Sequence, residues 1–325
     1  MSIKVNLDNN GLLQGVLKPE TPVEITKDTV SVVLAGGLGN MMFQIATLLS
    51  YCKDKNLRPL IGYWTTHQSE TSRWSHRLNR WGRNHHFEPW GGHDLEEKPI
   101  SVGEVYHKLP WFDSRPNAFN WWFNQDLAWD YDTGKGGVYV DLDTIIKPPY
   151  LMQGYFFNYK YWHHNRDYII DMMELDKDLR WWIDYNYGYL FNFETISVHM
   201  RLGNDNDFMP VEIVPYQWYI DKIESLVKNQ SQRVLVFSDN LKKAKRILYQ
   251  STIPRSQFHF IDEDPYICMD LMARCDMHIL SNSTLSFWGA YLDNKENNPH
   301  TYIHKSFLKE HPMSMIPYNN WKFEE

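Results

Sequence analysis

The chain has 325 residues, a formal net charge of −7 and 43% hydrophobic residues. This length and apolar content predict two domains with sizeable cores and exclude a disordered chain. The acidic balance argues against nucleic acid as the main partner, because nucleic-acid binding calls for a basic patch.

Residues 1–28 are polar and read as an appended hairpin or extra strand around the turn signal Asn9-Asn10-Gly11. They contain no apolar leader core, and no run of about 18 apolar residues occurs anywhere. The three cysteines, Cys52, Cys268 and Cys275, lie in apolar helical settings without metal-ligand spacing. Together these features predict buried free thiols and a cytoplasmic, reducing compartment.

An apolar strand over 30–35 feeds the turn Gly36-Gly37-Leu38-Gly39-Asn40 and then an apolar helix over 41–49. A strand–glycine–helix junction presents backbone N–H groups to an anion or polar ligand. The dinucleotide fingerprint fails here. Gly37 and Gly39 fit it, but its third glycine position is Met42, and the next apolar stretch, 58–64, ends in aromatics rather than an acid. Residues 65–137 lack periodicity and crowd together Trp74, Trp81, Trp90, Trp111, Trp121, Trp122 and Trp129. An insertion this long inside a compact chain is usually functional, and we expect it to shape an acceptor pocket. A strand over 138–142, an aromatic strand and loop over 151–162 and a helix over 165–174 follow.

From residue 194 the pattern becomes regular. Strands are predicted at 196–200, 234–237, 258–261 and 277–280, and helices at 216–228, 241–250, 265–274 and 285–293. Such alternation means a parallel sheet covered by helices. The predicted domains are therefore 1–190 and 191–325, both α/β, with ligands at the carboxyl ends of the strands. Aromatic residues make up 15% of the chain, with 14 Trp and 20 Tyr. Their faces stack well on sugar C–H surfaces.

Each polar cluster of the second half follows a predicted strand. His199-Met200-Arg201-Leu202-Gly203-Asn204-Asp205 follows the first, Ser238-Asp239-Asn240 the second and Ser281-Asn282-Ser283-Thr284-Leu285-Ser286 the fourth. Arg201 can make bidentate bonds to phosphate oxygens. The Ser283 and Thr284 hydroxyls and the helix N–H groups can cradle the same anion. Asp239 can accept from a ribose hydroxyl or a base N–H. Alone, Ser238-Asp239 or Ser283 reads as a helix cap; three clusters on one sheet edge read as a nucleotide site.

Residues 36–46 are similar to GGLGNQMFQYA, which opens the α-1,2-fucosyltransferase family (glycosyltransferase family 11); only Met41 and Ile45 differ. Residues 199–204 resemble that family's H-x-R-R-G-D, and residues 237–240 its F-S-D-D. Residues 270–275 with 281–290 resemble D-x-x-x-M-x-x-C and N-S-T-F-S-W-W-G-A-W, and residues 153–156 with Tyr161-Trp162 resemble its G-Y-F-Q…Y-F segment. The resemblance runs in order from about Val30 to Trp321.

It implies a GT-B-like fold of two facing Rossmann-like domains, the donor held mainly by the second. It further implies a GDP-fucose donor, inversion at the anomeric carbon, a glycan acceptor and no required metal. Arginine and N–H groups would then meet the charge of the leaving group. Carried onto this chain, the donor-binding residues are Gly37, Gly39, Arg201, Asn204, Ser238, Asp239, Asn282, Ser283, Thr284 and Ser286. The catalytic candidates are His199, Arg201, Asp205 and Asn40. His199, Asp205 or Asp207 would take the acceptor proton, and Asn40 would orient sugar hydroxyls.

The chain departs from the pattern at Leu202, where the family has a second arginine, and at Asn204 and Asn240, where it has acids. Arg274 and Lys305 are candidate compensating cations. These departures open two alternatives: another nucleotide-sugar donor on the same fold, or a non-catalytic glycan- or nucleotide-binding homologue. Three D-x-D strings, Asp141/Asp143, Asp205/Asp207 and Asp262/Asp264, offer a rival metal-dependent reading, the first the best placed because it follows a strand.

Overall fold

The structure, a computed structural model, describes residues 6–7, 13–14, 26–32, 34, 37–62, 108, 111–112, 139, 141–144, 150–152, 154–203, 213–293 and 298–325. The expected insertion lies almost wholly outside these residues, as do Asn204, Asp205 and Asp207. The chain divides into two compact units, Met1–Trp182 and Ile183–Glu325. The division falls inside the helix Lys177–Tyr187, earlier than the expected boundary near 190. No glycine- or proline-rich linker marks it.

In the first unit, β1 (Asn6–Leu7) pairs antiparallel with β2 (Leu13–Gln14). A separate parallel sheet holds β3 (Thr29–Val32), β4 (Arg58–Gly62), β5 (Trp111–Phe112) and β6 (Tyr150–Met152) in the order β5-β4-β3-β6. Strand order therefore reverses between β3 and β6, the type of point where open α/β sheets take ligands. The helix Leu38–Lys55 leaves the glycine turn with Gly37 as its N-cap, whose carbonyl accepts from the N–H groups of Asn40 and Met41. Residues 41–52 of this helix are all buried, so it is the core of the unit rather than an amphipathic cover. Asn56 ends it in the left-handed region, at φ 51°. Gln44 Nε2 donates to the Gly154 carbonyl at 3.0 Å and so ties this helix to the loop leaving β6. The strand expected over 138–142 is not found at its end: Leu142–Thr144 is a 3-10 turn.

The second unit is a six-stranded parallel sheet of β7 (Thr195–Met200), β8 (Arg233–Ser238), β9 (Phe258–Phe260), β10 (Met277–Leu280), β11 (Thr301–His304) and β12 (Lys322–Glu324). The order is β12-β11-β10-β7-β8-β9. The chain winds outward from β7 through β8 to β9 and then returns to the other side of β7. Its switch point is the seam between β7 and β10. All six residues of β7 are buried, as expected for a central parallel strand.

Ile196, Val198 and Met200 pack with the helices Tyr216–Leu226 and Leu241–Leu248 in one core. The alternate residues Ser197 and His199 face the other way. The helices Pro265–Ala273 and Thr284–Tyr291 pack against each other, with Gly289 set against Met272. A Cβ at Gly289 would sit 2.7 Å from Met272 Cβ, closer than carbon atoms tolerate. Gly289→Ala is therefore expected to destabilise the protein by about 2 kcal/mol, read as a lower urea midpoint at unchanged m-value. An unchanged midpoint would mean that the two helices do not meet there.

Candidate active site

The site is assembled at the carboxyl ends of β7, β8 and β10. Arg201, Leu202 and Gly203 leave β7. Gly203 has φ 67°, in the left-handed region that favours glycine, and lets the chain turn sharply. Asp239, immediately after β8, closes this turn. Its carboxylate accepts from the Leu202 N–H at 2.8 Å and from the Gly203 N–H at 3.2 Å. The Arg201 Nε lies 3.5 Å from Asp239 Oδ2. The Asp239 side chain is only 3% exposed, whereas Arg201 is 30% exposed. Arg201 is thus held at its base by a buried carboxylate, with part of its guanidinium open to solvent.

The neighbours of Asp239 are structural. Ser238 Oγ donates to the Met200 carbonyl at 2.7 Å and accepts from the Asn240 N–H at 3.1 Å. The helix cap is Asn240, whose Oδ1 accepts from the Lys243 N–H at 3.0 Å. Asparagine caps as well as aspartate does, so Asn240 keeps the helix start without the family's charge. The Ser238 hydroxyl serves the backbone, and the Asp239 carboxylate holds the β7 exit loop rather than standing open for a ribose.

At the switch point two rungs join β7 to β10. Ser197 Oγ lies 2.9 Å from His278 Nδ1, and His199 Nδ1 lies 2.6 Å from Ser281 Oγ. Behind the first rung, His278 Nε2 is 3.1 Å from Asp293 Oδ2, which also accepts from Asn298 Nδ2 at 2.7 Å. Serine, histidine and aspartate are thus in register, but all three are buried. The set is a polar seam inside the sheet, not a nucleophile.

His199 is itself 2% exposed. Burial, helped by the Arg201 charge, lowers its pKa to about 3. A neutral, enclosed imidazole this weakly basic does not accept a proton from an acceptor hydroxyl near neutral pH. In this setting the contact that His199 makes is the one across the seam, to Ser281.

Beyond β10, Ser283 caps the helix Thr284–Tyr291 by accepting from the Leu285 N–H at 3.3 Å. Thr284, the first helical residue, is half-buried. Asn282 is buried, and its Nδ2 donates to Ser306 Oγ at 3.2 Å. Ser286 is fully buried and donates to the carbonyls of Ser283 (2.9 Å) and Ser281 (3.3 Å). Gly37, Gly39 and Asn40 belong to the first unit. A Cβ built on Gly37 would meet nothing within 4 Å, and Asn40 is half-buried in the first turn of its helix.

The expected compensating cations are committed elsewhere. Arg274 pairs with Asp184 and with Asp270, the latter at 2.7 Å, and Lys305 pairs with Glu325 at 2.5 Å. Two of the D-x-D strings have other duties. Asp143 pairs with Lys55, and Asp141 accepts from the Asp143 N–H. Asp264 caps the helix Pro265–Ala273, where burial raises its carboxyl to about 7. Sequence reasoning missed Lys243, whose Nζ donates to the Leu202 carbonyl at 3.2 Å. Its signal was a basic residue in the first turn of a helix, where the macrodipole disfavours positive charge.

Residues 97–323 match the sequence profile of glycosyl transferase family 11. The chain belongs to that family. It is a fucosyltransferase-like glycosyltransferase, and the glycine turn at 36–40 lies before the matched span. It is 26% identical over 288 residues to the O-antigen biosynthesis glycosyltransferase WbnK of Escherichia coli, covering 81% of this chain and 90% of that one. An alpha-1,2-colitosyltransferase of Escherichia coli is 29% identical over 106 residues, 31% of this chain and 37% of that one. Among solved structures, fucosyltransferase NodZ from Bradyrhizobium overlays with a TM-score of 0.47 at 14% identity, covering 81% of this chain and 92% of that one. The Escherichia coli ADP-heptose lps heptosyltransferase II overlays with a TM-score of 0.45 at 14% identity, covering 91% and 90%.

The low His199 pKa sets a pH dependence for this glycosyltransferase. An unfolded histidine protonates near pH 6.5, whereas folded His199 resists protonation down to about 3. The unfolded state binds more protons across that window, so the His199 contribution is constant above about 6.5 and falls as pH drops towards 3. Urea melts at pH 7, 5 and 4 are expected to show a smaller loss of stability in His199→Asn than in the wild type. Parallel losses would contradict a buried neutral His199.

Proposed function

We propose that this chain transfers fucose from GDP-fucose to a hydroxyl of a glycan acceptor. Transfer proceeds with inversion at the anomeric carbon and needs no metal. The second unit binds the nucleotide sugar, and the first serves the acceptor. One observation carries this reading: a guanidinium is fixed by a buried carboxylate at the switch-point rim of a parallel sheet, on the strand next to the one that feeds a capped helix N-terminus. Arg201 meets the diphosphate, and the start of the helix Thr284–Tyr291 adds oriented N–H groups. As the bond to the anomeric carbon breaks, negative charge grows on the departing GDP, and these fixed dipoles stabilise it more than they stabilise bound substrate. The acceptor oxygen attacks the opposite face. With His199 buried and neutral, Asp205 is the candidate to take its proton. The WbnK name ties that relative to O-antigen biosynthesis, which supports a glycan acceptor.

A different donor is favoured by one specific observation. Leu202, where related sequences carry a second arginine, is 1% exposed and packs in the core of the second unit. The site therefore presents a different charge pattern to the nucleotide sugar, and one relative is named for colitose transfer rather than fucose.

Calorimetry with GDP, UDP, ADP and CMP distinguishes the donors. GDP is expected to bind selectively, and Arg201→Ala to weaken it by roughly 10- to 100-fold, with a matching loss of kcat/KM. Transfer from GDP-fucose should persist in EDTA and give an inverted product by NMR. Selective binding of another nucleotide would favour the second reading. Unchanged affinity and rate in Arg201→Ala would overturn the site.

A further inference from the structure

The rim charge does not add up to a diphosphate site on Arg201 alone. Arg201 and Asp239 face each other, so the pair presents little net charge to an anion. Residue 202 brings no cation, because the Leu202 side chain is in the core. We propose that Lys243 supplies the second positive charge of the nucleotide-sugar site. This rests on the reading of the Arg201 rim as the place where the diphosphate is held.

Three observations point to Lys243. First, its Nζ donates to the carbonyl of Leu202, the residue next to Arg201, and lies 5.4 Å from the centre of the Tyr216 ring. The ammonium is therefore fixed on the loop that carries the guanidinium. One of its three donors is used by the carbonyl, and the others suit phosphate oxygens. Second, among the described residues no carboxylate lies within ion-pair distance of it, whereas Lys222, Arg274 and Lys305 each have at least one. Its charge is left for an incoming anion. Third, its position costs the helix Leu241–Leu248 stability. The first turn contains Lys242 and Lys243 and no acid, and the cap is the neutral Asn240. Positive charge at that end opposes the helix dipole. A helix start that carries cations and no acid breaks a local rule, which is what a binding site produces. The ammonium also replaces, from β8's helix, a charge that the β7 loop lacks at Leu202.

The test uses the full chain with Lys243→Arg, Lys243→Gln and Lys243→Met, titrated calorimetrically with GDP and with guanosine, alongside unliganded melting curves. Lys243→Arg is expected to bind GDP within about threefold of wild type. Lys243→Gln keeps a donor for Leu202 but no charge, and it should lose GDP affinity by roughly tenfold, as should Lys243→Met. Guanosine affinity should stay unchanged in all three. Wild-type GDP affinity in Lys243→Gln would overturn the inference, showing that only the hydrogen bond to Leu202 matters. Equal losses for guanosine and GDP would also overturn it, by showing a general distortion of the site. If Arg201→Ala weakens GDP and Lys243→Met does not, this inference fails and the transferase reading stands. If the wild type binds no GDP, both fail.

Discussion

The buried carboxylate of Asp239 is the constraint on which the site depends. A carboxylate this enclosed is tolerated only when its oxygens are paired, because unpaired burial of charge is costly. Here two backbone N–H groups and a guanidinium do the pairing, and all three come from the exit of the neighbouring strand β7. Satisfying Asp239 therefore shapes the loop: Gly203 must turn into the left-handed region, and Arg201 must stand beside Asp239 rather than swing freely. Ser238 adds a second clamp from the same strand end, onto the Met200 carbonyl. Arg201 is thereby pre-positioned by the packing that closes the sheet edge, which is how a binding site would avoid spending binding energy on ordering its own side chains.

The other side of β7 is fixed by different means. Between β7 and β10 the sheet carries histidines and serines where an apolar strand core is usual: Ser197 meets its register partner His278, and His199 meets Ser281 just past the end of β10. Such a seam is worthwhile only if fully satisfied, since half-paired polar groups in the interior cost more than an apolar core. The chain of His278, Asp293 and Asn298 extends the seam to the segment following the helix Thr284–Tyr291. That helix is also held against Pro265–Ala273 through the glycine contact at Gly289. Two features of the rim, Arg201 and the start of the helix Thr284–Tyr291, thus rest on separate rigid supports within one sheet.

Much of this was legible in the sequence. The four strands and four helices from Thr195 to Tyr291 were clear because burial imposes short apolar runs on strands and a 3.6-residue stripe on helices. β11 and β12 were missed: each is a few residues long, and β12 is a half-buried edge with no apolar run to reveal it. Arg201, Asp239 and Ser283 could be placed at one sheet edge because each follows a strand. Their division of labour could not be read, because it depends on burial and on partners far away in sequence. Asp239 serves residues 202 and 203, Ser286 turns inward to two carbonyls, and His199 is sealed against Ser281. The apparent damage at Leu202 and Asn240 also changes meaning in three dimensions. One is a core residue, and the other is a working helix cap.

A double-mutant cycle on Arg201 and Asp239, read as GDP affinity of the full chain by calorimetry, measures the dependence of one residue on the other. If the carboxylate acts by aiming the guanidinium, Asp239→Asn weakens GDP binding in the wild type but adds little once Arg201 is already alanine. Full additivity of the two losses would show that Asp239 does not act through Arg201, and the arrangement described here would be wrong.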